Sequence, residues 1–379
     1  MTKAAELAKI GEVATNSQIG GRRNIVINGA MKISQRATSV TGLGDDNDEG
    51  YPTVDRFKVQ GNAGAGRFTM TQTSITDLPG FPECIKLDCT TADTSIAAAE
   101  RLFIQTKFEG QDLQGIKKGT SAAEAITVSF YAKANASFKF VVALFDVDNN
   151  RYAGSTFDVT SSWQRFIVTF PADTDDGSSP FDNDNADSLN LRFFIHAGAN
   201  YTSGTLSSTF ANVDNTNTYD SNADSFYSST DNNFFLTGVQ LEVGSVATPF
   251  EHRTQDEEMK MCQRYYYRTP YYQNSGQAAN ETFPCVGNMD GAVTGAYLLC
   301  FPNVMRAAPS AIEQSGTPSH YSIRVTGDHN GTTGPSAGGF TSEKALINLI
   351  SSGAGQTAGD GAFLRMENTS AFLAFDAEL

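Results

Sequence analysis

The chain has 379 residues and a formal net charge of −15 at pH 7, with 18% charged residues, 34 Gly, 26 Phe and a single Trp. So much apolar material excludes a disordered polar tail, and the wealth of Gly, Ser, Thr and Asn excludes a coiled-coil rod. The negative sign argues against nucleic-acid phosphates as partners, no run of 18 apolar residues offers a membrane insertion, and the length suits two domains.

In chain order, Thr2 caps a predicted short helix in which Ala4, Leu7 and Ala8 recur at helical spacing before Gly11. A helix this short is marginal alone, so it is expected to dock on copies of itself or on another protein. Residues 1–23 therefore read as an attachment arm, with Leu7 and Ile10 as apolar contacts and Arg22 and Arg23 at a basic hinge. Glu6 and Glu12 interrupt what a secretory signal would need to be apolar, which predicts synthesis in a cytoplasm. The five cysteines are odd in number and form no CxxC pair, so free buried thiols are expected.

Residues 24–253 read as a jelly-roll β-sandwich. Asn24 to Ile27 suggests an apolar strand. Period-two runs follow: Ile126, Val128 and Phe130; Phe166, Val168 and Phe170; Leu189, Leu191, Phe193 and Ile195; and Phe235 to Val243. Turn-rich stretches of Asp, Asn, Gly and Ser separate them. Residues 200–233 are polar and aperiodic, either a long ordered loop or a pair of weak edge strands. Their Tyr201, Tyr219 and Tyr227 are candidate ligand contacts. Thr254-Gln255-Asp256-Glu257 is a capping box and predicts a linker helix within 254–266. Residues 267–379 form a second, smaller β-sandwich-like domain, with strands at Ala296–Phe301, Tyr321–Val325, Ala345–Ile350, Phe363–Met366 and Ala371–Phe375. Gly-rich linkers span 327–339 and 353–361. His320 and His329 of this domain are further candidate ligand contacts. The fold class is all-β.

Catalytic signatures are missing: there is no nucleophile elbow, phosphate loop, dinucleotide fingerprint or zinc spacing. The carboxylate pairs Asp173/Asp175 and Asp182/Asp184 sit in turns, where Asp ordinarily satisfies local amides. Asp146, Asp148, Asp182 and Asp184 offer oxygen ligands at alternate positions, weak calcium candidates without the Gly and closing Glu of an EF-hand. No cofactor or resident metal is expected. Trp163 invites a carbohydrate-stacking reading, but its place at a strand start favours a core plug. Tyr265 to Tyr267 with Tyr271 and Tyr272 read as a contact surface in preference to a binding face.

Several phrases carry a resemblance. Arg23-Asn24-Ile25-Val26-Ile27-Asn28-Gly29, Gln35-Arg36 and Tyr51 to Phe57 resemble the opening of a bacteriophage tail-fibre family. Phe235 to Ser245, Ala247 to Glu251, Cys262 to Tyr266, Met305 to Pro309 and Ala371 to Leu379 resemble its later segments. The resemblance implies a virion protein of the tail with a carbohydrate-module-like jelly roll. It would adsorb, usually as a homotrimer, to a host cell-surface glycan or outer-membrane component, with the arm seated on a phage tail or adaptor protein. No family catalytic residue carries over. A capsid decoration or cement protein is the alternative reading, and a glycan depolymerase the second alternative.

Overall fold

The computed structural model describes residues 3, 23–45, 50–62, 64–174, 179–269, 282–353 and 355–379. Leu7, Ile10 and Arg22 of the expected arm lie outside the described residues. The chain divides into two units, Met1–Glu258 with Leu379, and Met259–Glu378.

Among the described residues the first unit is an all-β jelly-roll sandwich of twelve strands. They are β1 (Ser39–Leu43), β2 (Lys58–Asn62), β3 (Arg67–Ser74), β4 (Glu83–Thr91), β5 (Arg101–Glu109), β6 (Ile126–Ala134), β7 (Phe138–Asp146), β8 (Arg151–Val159), β9 (Gln164–Phe170), β10 (Asp187–Ala197), β11 (Ala211–Asn212) and β12 (Asn233–Val243). One sheet runs β1-β3-β4-β12-β6-β9 and the other β11-β8-β7-β10-β5-β2. The predicted alternation sets Ile126, Val128 and Phe130 of the first sheet into one core with Leu189, Leu191, Phe193 and Ile195 of the second. Phe130 meets Phe157 and Phe193 edge-on, each at 5.0 Å between ring centres. Each fully buried ring of this kind contributes on the order of 2–3 kcal/mol.

The second sheet is also covered on its outer face, which simple alternation does not predict. Phe103, Val141, Ala143, Tyr152 and Phe194 point away from the main core, yet they are buried under Tyr201 and Tyr219. The polar stretch after β10 is therefore a folded cover. It starts with α1 (Ala199–Thr202) and adds the short edge strand β11.

A belt of buried polar side chains closes the sandwich, and the phrases that carry the resemblance build much of it. No strand forms over Asn24 to Ile27. Instead the Asn24 side-chain amide donates to Val239 O at 3.1 Å, and its Oδ1 accepts from Val26 N–H and Leu241 N–H. Asn28 adopts φ 60°, donates to Ile33 O and Asp55 O, and accepts from Ile33 N–H. Asp55 accepts from the Gln35 backbone at 2.9 Å and from its side chain at 2.6 Å. Arg253 donates to the carbonyls of Val26 and Asn24. Arg23, expected in the arm, belongs to this belt: its N–H donates to Glu251 Oε2 at 2.6 Å and its guanidinium lies 3.9 Å from the same oxygen. The predicted capping box is present ahead of α2 (Gln255–Gln263). Thr254 N–H donates to Glu257 Oε2 at 3.0 Å, and Glu257 N–H donates to Thr254 Oγ1 at 3.3 Å.

The second unit holds β13 (Tyr266–Thr269), β14 (Thr282–Met289), β15 (Thr294–Cys300), β16 (Glu313–Gln314), β17 (Tyr321–Arg324), β18 (Asp328–Asn330), β19 (Ser336–Phe340), β20 (Lys344–Ile350), β21 (Gly361–Met366) and β22 (Leu373–Asp376). A seven-stranded sheet runs β18-β17-β21-β14-β15-β20-β19, and a three-stranded sheet runs β13-β22-β16. Both contribute to one core that includes Tyr297, Ile323, Ile347, Leu364 and Phe375. The five predicted strands are all present. The stretch read as a Gly-rich linker over 327–339 contains β18 and most of β19. Tyr265 and Tyr266 are buried, while Tyr271 and Tyr272 lie outside the described residues.

Candidate functional site

The antiparallel pairing of β7 and β8 sets Phe138 opposite Val159 and Lys139 opposite Asp158. The cover after β10 docks beside them by a reciprocal backbone clasp. Lys139 N–H donates to Asp224 Oδ2 at 2.7 Å, and Asp224 N–H donates to Lys139 O at 2.8 Å. Tyr219 steadies the same turn, its hydroxyl donating to Asp224 O at 2.8 Å. These three segments enclose an open cleft of about 280 Å³, lined by Ser137, Phe138, Lys139, Asp158, Thr160, Asn222 and Asp224 among others.

The lining is chemically mixed. Phe138 is half-buried and stacked on Phe140, with ring centres 5.4 Å apart and planes 7° from parallel, so its orientation is fixed. Asp158, Asn222 and Asp224 are exposed and offer oxygen acceptors and an amide donor. Two carboxylates against one ammonium leave the cleft net negative, which disfavours an anionic ligand. The volume is at the small end for ligand pockets. Carboxylate acceptors and an amide donor around a small cleft match the hydroxyls of one uncharged or cationic polyhydroxylated ring.

The residues singled out from sequence land elsewhere. Tyr201, Tyr219 and Tyr227 are buried, so their reading as candidate ligand contacts is corrected. Tyr201 and Tyr219 fill the outer face of the second sheet. Tyr227 joins the main core beside Phe68 and Phe226 and sits 5.0 Å from the His196 ring. The calcium reading is corrected as well. Asp146 is fully buried with the Lys118 ammonium 2.6 Å from its Oδ2, so a lysine stands where a cation would. Burial pushes the Asp146 carboxyl up, and Lys118 pulls it partly back. Asp173 is held by Arg151 through two bonds of 2.9 Å, and Asp175 lies outside the described residues. Asp148 accepts from Asp182 N–H of a distant loop, and Asp184 accepts from Ala186 N–H, the local duty of Asp in turns.

His320 and His329 belong to the second unit and make separate local bonds, to Ser315 Oγ at 3.0 Å and to the Gln356 amide at 2.7 Å. Trp163 is not a core plug. It is half-buried on the outer face of the first sheet, with Nε1 donating to Asp77 Oδ1 at 2.9 Å and Lys133 Nζ 5.0 Å from its ring centre. All five cysteines are free, and burial pushes the Cys84 and Cys285 thiols up to about 12.

Sequence reasoning missed Phe138, Asp158 and Asn222. Their only signal is that each stands at the end of a strand or in the polar stretch; nothing local brings them together.

No family model matches the chain, and no curated protein matches it. Among solved structures it is similar to a putative sugar binding protein from Bacteroides thetaiotaomicron, at 10% identity over 58% of this chain and 100% of that one, with a TM-score of 0.30. The family 11 carbohydrate-binding module of the cellulosomal cellulase Lic26A-Cel5E of Clostridium thermocellum matches at 11% identity over 55% and 97%, with a TM-score of 0.27. The xylan-binding domain CBM22-1 from Paenibacillus barcinonensis Xyn10C matches at 10% over 60% and 100%, with a TM-score of 0.26.

Proposed function

We propose that this protein is a non-catalytic phage tail-fibre component that adsorbs to a host cell-surface glycan, holding one sugar ring in the Phe138 cleft. The observation that carries the binding reading is the cleft itself: Phe138, Lys139, Asp158, Asn222 and Asp224 line one open volume of a size suited to a single ring. The virion assignment rests on the sequence phrases at both ends of the sandwich. The protein works as a homotrimer with its N-terminal arm on a tail or adaptor protein, so weak single-site contacts add by avidity.

The test is titration calorimetry of the purified protein against host cell-surface polysaccharide. Asp158 and Asn222 are exposed, so Asp158→Ala/Asn222→Ala leaves the fold intact. Binding that falls at least about tenfold in this variant supports the reading. Undiminished binding, or release of new reducing ends from the polysaccharide, contradicts it.

A further inference from the structure

Acidic side chains outnumber basic ones 42 to 27, so a basic group of this chain is expected to find a carboxylate. Two arginines on the outer face of the second sheet do not. Arg192 of β10 and Arg101 of β5 share the outward parity of Phe194 and Phe103 on adjacent strands. Their guanidiniums lie 5.0 and 5.7 Å from the centre of the same Phe103 ring. Phe145 of β7, the strand on the other side of β10, has its ring centre 4.1 Å from the Arg192 guanidinium, so aromatic rings flank that group from both neighbouring strands. Arg192 Nε donates to Gln105 Oε1 at 3.1 Å, and Gln105 is itself tied to Gln60 Oε1 at 3.1 Å. The two terminal amino groups of Arg192 take no partner among the described residues, and neither arginine forms an ion pair there. Arg101 Nε is buried without an acceptor, and Asn190 Oδ1, one outward position from Arg192 on β10, is buried without a donor. The Asp187 carboxylate at the start of β10 is taken by Lys107 at 2.8 Å. Burial draws the Arg192 guanidinium down to about 10 and the Arg101 charge adds to this, yet the group stays charged at pH 7.

We infer that this face holds a second saccharide subsite, in which the Arg192 fork binds the carboxylate of an acidic sugar residue with Arg101 beside it. The charge decides the class of ligand. Two cations held near one ring repel each other, and the chain offers them no counter-ion, so an anion from outside is the group that relieves them. The geometry decides the kind of anion. With Nε taken by Gln105, the pair of terminal amino groups remains as two parallel donors, the match for the two oxygens of a planar carboxylate. The neighbouring polar groups suit the rest of a sugar ring. The unsatisfied Asn190 Oδ1 lacks an O–H donor of the kind a hydroxyl supplies, and an unpaired buried acceptor marks the place as incomplete in the free protein. The Phe138 cleft is net negative and turns a carboxylate away, so the two sites divide neutral and acidic residues of one glycan between them.

The inference rests on the glycan reading above for the kind of molecule and adds the acidic residue and its place. Titration calorimetry of the full chain with glucuronate, glucose and glucose 6-phosphate at low ionic strength tests it. The wild type is expected to bind glucuronate at least about tenfold more tightly than glucose. Arg192→Gln removes that preference, and Asp158→Ala/Asn222→Ala keeps it. Should Arg192→Gln not fold by circular dichroism, Arg192→Lys keeps the charge, loses the fork and is expected to weaken glucuronate at least about threefold. No preference for glucuronate in the wild type, a preference that survives in Arg192→Gln, or tighter binding of glucose 6-phosphate than of glucuronate overturns the acidic subsite. The Phe138 cleft fails separately: host polysaccharide binding that Asp158→Ala/Asn222→Ala leaves undiminished overturns the cleft, and a glucuronate preference lost in Arg192→Gln still stands beside it.

Discussion

Lys118 Nζ lies 2.6 Å from Asp146 Oδ2, and both side chains are closed to solvent. The same ammonium lies 3.5 Å from Asp173 Oδ2, and Arg151 grips that carboxylate from the other side at 2.9 Å. Two cations and two anions thus alternate inside the end of the sandwich. Long loops that carry few apolar residues are pinned there by charge.

Breaking this chain of charges on one side strands a buried carboxylate. Lys118→Met is expected to cost roughly 3–5 kcal/mol, and Lys118→Met/Asp146→Asn to recover part of that loss. Urea unfolding of both variants measures it. A single variant as stable as the wild type would mean the pair is solvated.

Acid acts on the belt. Burial alone would raise the Glu251 carboxyl, but the Asn24 and Arg23 amides together with Arg253 outweigh it and hold the group below the usual carboxylate range. A carboxyl depressed in the folded state binds its proton more readily unfolded. Its contribution is therefore complete above about pH 4.5 and is lost as pH falls through the folded value. Glu251→Gln should lower stability at pH 7 by roughly 1–2 kcal/mol and flatten the stability profile below pH 4.5. A parallel downward shift of the whole profile would assign the acid limb to other groups.

Gly66 allows the Tyr227 ring to lie against the backbone: a β-carbon at this position would stand inside the ring's van der Waals envelope, with Cγ and Cδ1 the nearest atoms. Gly66→Ala is expected to lower stability by roughly 1–3 kcal/mol, read as a fall in the thermal midpoint. The paired change Gly66→Ala/Tyr227→Leu should lose less than the two single effects added together.

The strands of the first unit were legible where one face is core: β9, β10 and β12 alternate openly. In the second unit the hidden strands carry residues that ordinarily break strands, Pro284 and Gly287 in β14, Gly338 and Gly339 in β19. The cover was not legible for a different reason. A tyrosine in a polar stretch reads the same whether it faces water or a sheet, and only the outer-face Phe103 and Phe194 decide that Tyr201 and Tyr219 turn inward. The Asp146 environment likewise depends on Lys118, 28 positions away, and no local spacing announces it. The cleft is the extreme case. It joins residues 138, 158 and 222, whose proximity exists only once β7 pairs with β8 and the cover docks.

Amide hydrogen exchange with and without host cell-surface polysaccharide tests the proposed glycan cleft most directly. The account predicts added protection at residues 137–139, 158–160 and 222–224, abolished in Asp158→Ala/Asn222→Ala. Protection confined to other surfaces, or none at saturating polysaccharide, would contradict it.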